Sequence, residues 1–210
     1  MALVDDLVIS GYLRTPRIID AFRKVKRADF LPPEMRDLAD LNEALPIGHG
    51  QTISQPMVVA FMLELLNPKP GDKILDIGSG SGWTTALLAH IVSQNNADGK
   101  IYAIETIPGL KEFGQSNADK YDFVKKGIAK FVLADGSLGL EKEAPFDKIL
   151  ASASAQKIPE AWKKQLAIGG TLVAPVKESI WKMERESDTI FKTSKYHGFV
   201  FVPLVTRKTE

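Results

Sequence analysis

Cysteine is absent from the 210 residues, which excludes disulfides, thiolate nucleophiles and thiolate metal ligands. An excess of either charge is absent too. The 27 Lys and Arg face 26 Asp and Glu, and that balance gives no electrostatic reason to expect nucleic acid or an anionic membrane as partner. No run of about 18 apolar residues occurs, so no membrane-spanning helix is expected. The start, Met1-Ala2-Leu3-Val4-Asp5-Asp6, carries acid where a secretory signal would be basic and then apolar, and a cytoplasmic chain is expected. Histidine is scarce: His49, His90 and His197 lie too far apart for metal-ligand spacing, and no metal is expected. Internal repeats and low-complexity stretches are missing as well.

What is present is an ordinary globular core, 44% hydrophobic, sized for one domain over residues 1–210. Its organising stretch is Ile74-Leu75-Asp76-Ile77-Gly78-Ser79-Gly80-Ser81-Gly82-Trp83. An apolar strand over 73–77 feeds three alternate glycines, and 84–92 reads as the helix that follows. A glycine loop between strand and helix lets a ligand approach the backbone and meet free N–H groups. Trp83 stands where a dinucleotide fingerprint needs its third glycine, which disfavours a nicotinamide enzyme.

Around this loop the pattern predicts alternating strands and helices. Strands are expected at 73–77, 100–105, 129–134, 146–151 and 171–176. Helices are expected at 83–92, 108–121 and 159–165, the last closed by Gly169-Gly170. That repeat implies a Rossmann-like α/β fold, a doubly wound, mostly parallel sheet. The tail over 180–186, 189–196 and 199–205 reads as strands without helices, an antiparallel edge within 177–210. In front lies a helical extension over 1–44, with helices near 2–10, 16–25 and 34–38, read as a lid or appendage. Residues 45–56 show no period of 2 or 3.6 and read as a long functional loop, with Ser54 as cap for an apolar helix over 57–66.

In such a sheet, ligands bind beyond the carboxyl ends of the strands. Three ends carry suitable groups: the glycine loop, Glu105 and Asp135-Gly136. An acid at 105 can accept ribose hydroxyl protons, and the 135–136 pair suits an adenine edge. The alternative for both carboxylates is capping of the turn that follows each.

These residues resemble the Rossmann-like methyltransferases that bind S-adenosylmethionine. The stretch Leu45-Pro-Ile-Gly-His-Gly-Gln-Thr-Ile-Ser-Gln-Pro56 narrows the likeness to the protein-L-isoaspartate O-methyltransferases. The resemblance continues through Ala144-Pro-Phe-Asp147, Ile158-Pro-Glu160, Gly169-Gly170 and Phe201-Val-Pro-Leu204. It implies methyl transfer to the free α-carboxylate of an L-isoaspartyl residue, whose ester collapses to a succinimide and hydrolyses partly to aspartate. It implies that Asp76, Gly78, Ser79, Gly80, Gly82, Glu105, Asp135 and Gly136 hold the cofactor, joined by Thr52 and Ile53. Ser54 is placed at the reacting carboxylate, with Ile47 and His49 on the substrate side. Isoaspartyl proteins and peptides are the expected partners of a monomer. No general base is needed, since a carboxylate with a pKa of about 4 is already the nucleophile at neutral pH.

The chain departs from the family just before the signature. Where the family reads close to Ala-Tyr-x-Asp-x-Pro-Leu-Pro, this chain has Ala39-Asp40-Leu41-Asn42-Glu43-Ala44-Leu45-Pro46. The loss of acid at Asn42 is expected to remove a charge from the substrate side. A methyltransferase acting on another carboxylate, or a cofactor-binding module without turnover, stands as the alternative.

Overall fold

The computed structural model describes residues 3–205; the ends of the stretches read above as 1–44 and 177–210 lie outside the described residues. Seven strands form one sheet in the order β5-β4-β3-β6-β7-β8-β9. They are β3 (Lys73–Ile77), β4 (Lys100–Glu105), β5 (Ala129–Leu133), β6 (Phe146–Ala151), β7 (Leu166–Val176), β8 (Ser179–Arg185) and β9 (Phe191–His197). Strands β3 to β7 pair in parallel, while β8 and β9 return antiparallel. The chain reverses its direction across the sheet between β5 and β6, so the order has a switch point at β3, the strand that feeds the glycine loop.

Successive strand residues point to opposite faces, so each strand feeds two cores. Ile74, Ile101, Ala103, Leu150 and Val173 face the larger one, shared with α3 (Pro56–Leu66), α4 (Trp83–Val92) and α5 (Pro108–Asp119). Leu75, Ile77, Ile104, Ile149 and Leu172 face the smaller one, shared with α6 (Glu160–Gln165) through Trp162.

The N-terminal extension is fixed to the body rather than hinged on it. Its helices α1 (Leu3–Ile9) and α2 (Pro16–Lys24) bury Leu7, Ile18 and Phe22 in the larger core. Thr15 holds the N-cap position of α2, but its hydroxyl donates to Glu64 on α3 at 2.7 Å instead of capping its own helix. His90 of α4 meets Asp20 at 2.7 Å, and the Tyr121 hydroxyl donates to Asp29 at 2.6 Å.

Three expectations change. Residues 45–53 are not a loop but a separate hairpin, β1 (Leu45–Gly48) with β2 (Gln51–Ile53). Strands so short carry too little period to be read, and the turn needs left-handed backbone at His49 (φ 53°) and Gly50 (φ 68°). Ser54 does not cap α3; Gln55 holds the cap position, and the Met57 N–H donates instead to Asn42 Oδ1 at 2.9 Å. Gly169-Gly170 lies inside β7, because α6 already ends at Gln165.

Candidate active site

The carboxyl ends of β3, β4 and β6 open into a cavity holding about 740 Å³ of space. Ile47, Thr52, Ile53 and Ser54 of the hairpin cover it, and Gly78, Ser79, Gly80, Glu105 and Gly136 floor it. A second depression of about 800 Å³ adjoins it, walled by Ala44, Gln55, Val58, Val200 and Phe201. Thr52, Ser54, Ser152 and Val202 line both, so they mark the junction.

Gly82 and Asp76 stand behind the loop rather than on the cavity. Gly82 caps α4 with φ 84°, and a Cβ there would lie 2.5 Å from the Gly114 carbonyl oxygen. Gly114, in mid-α5, would in turn place a Cβ 2.7 Å from the Gly80 oxygen. The loop is therefore pressed against α5 backbone to backbone, and the buried Asn117 donates to Ser81 O at 3.0 Å as a second tie. Sequence reading missed Gly114; a glycine isolated inside a helical pattern was the available signal.

Glu105 is buried, and its Oε2 accepts from Gly80 N at 2.9 Å while Oε1 accepts from Thr106 N and Ile107 N at 2.8 and 3.0 Å. It thus braces the glycine loop and fixes the turn that leads into α5, and by count of lone pairs Oε2 retains one acceptor position. Asp135 accepts from the Ser137 N–H and hydroxyl at 2.8 and 2.7 Å, which turns the chain so that Gly136 reaches the cavity. Trp162 holds that turn from below, donating to Gly136 O at 2.8 Å. His49 is exposed and packs beside Gly109, away from both cavities.

Asp76 is fully buried. Thr85 Oγ1 donates to its Oδ2 at 2.6 Å, and Oδ1 has no partner among the described residues. Burial, opposed by that hydrogen bond and aided by the Glu105 charge, pushes the carboxyl from 3.8 up to about 6. Between those values the folded chain keeps a proton that the unfolded chain has released. The group's contribution to stability therefore falls as pH rises through that window and stays low above it. Asp76→Asn, which cannot ionise, should gain on the unsubstituted protein by about 3 kcal/mol from about pH 4 to pH 7. Thermal melts of both proteins at several pH values measure this; curves that run parallel would contradict it.

The segment after β9 supplies the last wall. Expected as a third edge strand, residues 199–205 leave the sheet at Gly198 (φ 93°) and cross the strand ends instead. Ser154 N donates to Val202 O and Leu204 N to Ser154 O, both at 2.8 Å, and Val202 to Val205 line the cavity. Pro203 lacks the N–H a continuing strand would use. This wall, Trp83, Leu110 and Ser152 are among the lining residues beyond those read from sequence.

Of the three departures before the signature, only Ala44 reaches a cavity. Asn42 turns its oxygen to the N-terminus of α3, where a carboxylate or an amide serves equally as acceptor, so its change from acid does not alter the pocket wall. Asp40 is exposed and faces the buried Arg27, whose pKa burial lowers to about 10 while the Asp40 charge opposes the fall.

The lining suits a cationic nucleoside with a polar amino-acid end. Among the described residues that line the two cavities Glu105 is the one charged side chain, an attraction for a cation. Ser79 Oγ and Trp83 Nε1 are buried at the first cavity without partners among the described residues, so a bound group can satisfy them. Ile77 and Ile104 offer apolar surface for a base.

Known proteins share both the sequence and the fold. The family model for protein-L-isoaspartate(D-aspartate) O-methyltransferase matches residues 1–209. A protein-L-isoaspartate O-methyltransferase of Methanopyrus kandleri is 40% identical over 207 residues, 97% of this chain and 89% of that protein. One from Aeropyrum pernix is 40% identical over 209 residues, 98% of this chain and 78% of its own length. In fold, a Plasmodium falciparum chain described as a protein-L-isoaspartate O-methyltransferase in complex with S-adenosyl-L-homocysteine superposes with a TM-score of 0.87. It covers 98% of this chain and 97% of its own at 24% identity. With a match that runs from the helical extension to the final wall of the cavity, this chain belongs to the protein-L-isoaspartate(D-aspartate) O-methyltransferase family.

Proposed function

We propose that the chain transfers the methyl group of S-adenosylmethionine to the α-carboxylate of L-isoaspartyl residues in proteins and peptides. The observation that carries this is the junction: the cavity floored by the glycine loop meets an open depression at a point lined by three hydroxyl residues. S-adenosylmethionine supplies an electrophilic sulfonium methyl there, whose S–C electron pair returns to sulfur as a carboxylate oxygen forms the new O–C bond, with no proton transferred.

The protein's part is binding, alignment and exclusion of water. Ser79, Trp83, Gly80 and Gly136 are assigned to the cofactor, with Oε2 of Glu105 accepting one ribose hydroxyl. Asp76, Gly82 and Asp135 act behind the surface by holding the loops in place. Ser54, with Thr52 and Ile53 beside it, holds the carboxylate by hydrogen bonding without a cation that would blunt its nucleophilicity. Ile47 covers the glycine loop, its Cδ1 lying 3.4 Å from where a Cβ on Gly80 would sit. The open depression accommodates the chain on either side of the damaged residue.

The deciding experiment uses labelled S-adenosylmethionine and two peptides identical but for one L-isoaspartyl or normal aspartyl linkage. Label should enter the first and not the second. Equal labelling would overturn the selectivity, and activity confined to a small-molecule acid would point to a different carboxylate.

A further inference from the structure

Resting on that reading, we infer that Ser152 is a second binding group for the substrate carboxylate, sharing it with Ser54. A carboxylate attacks through one oxygen, and the direction of attack is set by what holds the other. The supply of donors at the junction is short. Among the described residues neither cavity is lined by Lys, Arg or His. At the start of α3 the Met57 N–H is taken by Asn42. The buried guanidinium of Arg27 reaches Ser54 only at its carbonyl oxygen, 3.3 Å away, and spends its other bonds on Ala39, Leu41 and Glu43. The side-chain hydroxyls at the residues lining both cavities are those of Thr52, Ser54 and Ser152.

Ser152 differs from the other two in what carries it. Thr52 and Ser54 belong to the hairpin and its exit, a separate small sheet. Ser152 directly follows β6, and its N–H donates to Ile77 O at 2.9 Å, so it is tied to the strand that feeds the glycine loop. Two residues on, Ser154 is bonded on both sides to Val202 and Leu204. The Ser152 hydroxyl is thus held by the framework that positions the cofactor, while Ser54 is held by the cover. A carboxylate gripped by both is located relative to cofactor and cover together, and each hydroxyl offers a single donor without a full positive charge.

Steady-state rates with S-adenosylmethionine and an L-isoaspartyl peptide, and calorimetry with S-adenosylhomocysteine, test this on the full chain. Ser152→Ala should raise the peptide KM and lower kcat/KM at least about tenfold, as loss of a hydrogen bond to a charged group implies. Affinity for S-adenosylhomocysteine and the melting temperature should stay unchanged, and Ser152→Thr, which restores the hydroxyl, should recover most of the loss. An unchanged kcat/KM in Ser152→Ala, or a fall in S-adenosylhomocysteine affinity equal to the fall in kcat/KM, would overturn the role. An unsubstituted protein that binds S-adenosylhomocysteine but leaves the isoaspartyl peptide unmethylated would overturn the proposed function itself, and that result is seen before any substitution is made.

Discussion

Replacing Gly82 with alanine should lower stability by about 2–5 kcal/mol and weaken cofactor binding by at least about tenfold, because two penalties coincide at one atom. The backbone at Gly82 has φ 84°, a left-handed conformation in which a Cβ meets its own carbonyl. That Cβ would also sit 2.5 Å from the Gly114 oxygen and 2.9 Å from its Cα, contacts that only backbone movement can relieve. Neither partner can yield alone. Gly114 lies within α5, and the loop on its other side is fixed by the Glu105 carboxylate at Gly80. Relief must move the loop, and with it the floor of the cavity. Thermal unfolding with and without S-adenosylhomocysteine, together with calorimetry, reads both effects. The converse substitution, Gly114→Ala, separates backbone strain from contact, since its helical backbone carries no strain while its Cβ would lie 2.7 Å from Gly80 O and 3.1 Å from both Gly82 N and Phe131 Cε1. A Gly82→Ala protein that melts and binds like the unsubstituted one would show that this contact does not set the loop's position.

Arg27→Met should remove about 2–4 kcal/mol of stability and slow peptide methylation more than it weakens cofactor binding. The guanidinium is nearly inaccessible and lies 5.5 Å from the Trp83 ring, with its donors directed at four main-chain carbonyls. Three of those, on Ala39, Leu41 and Glu43, belong to the irregular stretch before the hairpin, and the fourth is that of Ser54. A planar fork of donors can serve them all, whereas methionine serves none and lysine brings one compact charge. The stretch then has no fixed place, and its loss reaches the substrate depression through Ala44 and Ser54. Faster amide exchange over 39–44 with an unchanged S-adenosylhomocysteine affinity is the expected signature. Equal loss of peptide turnover and cofactor affinity would instead make Arg27 a support of the cofactor cavity.

In the extension that carries Arg27, helices before the first strand read as a lid or appendage; of the two, the packing suits a fixed appendage, since Ile18 and Phe22 are built into the larger core and Phe22 meets Trp83 edge-on at 5.6 Å. Trp83, which lines the first cavity, is therefore held from one side by the extension.

Local patterns in the chain set the alternation of strands and helices, the glycine loop, and the strand ends where Glu105 and Gly136 stand. Those features rest on local periodicity and on glycine, both of which a single stretch of chain expresses in full. The sequence also determined the family, through the long run from Leu45 to Pro56. Long-range packing alone makes this run a hairpin, lets residues 199–205 close the cavity instead of extending the sheet, and turns Asn42 to a helix terminus rather than the pocket. It also separates the residues lining the cavity from Asp76, Gly82 and Asp135, which support it from behind. The physical reason is common to all of these. Each depends on a contact between residues far apart in sequence, such as Gly82 on Gly114, Ser154 on Val202 or Arg27 on Ser54, and such contacts leave no period in the chain.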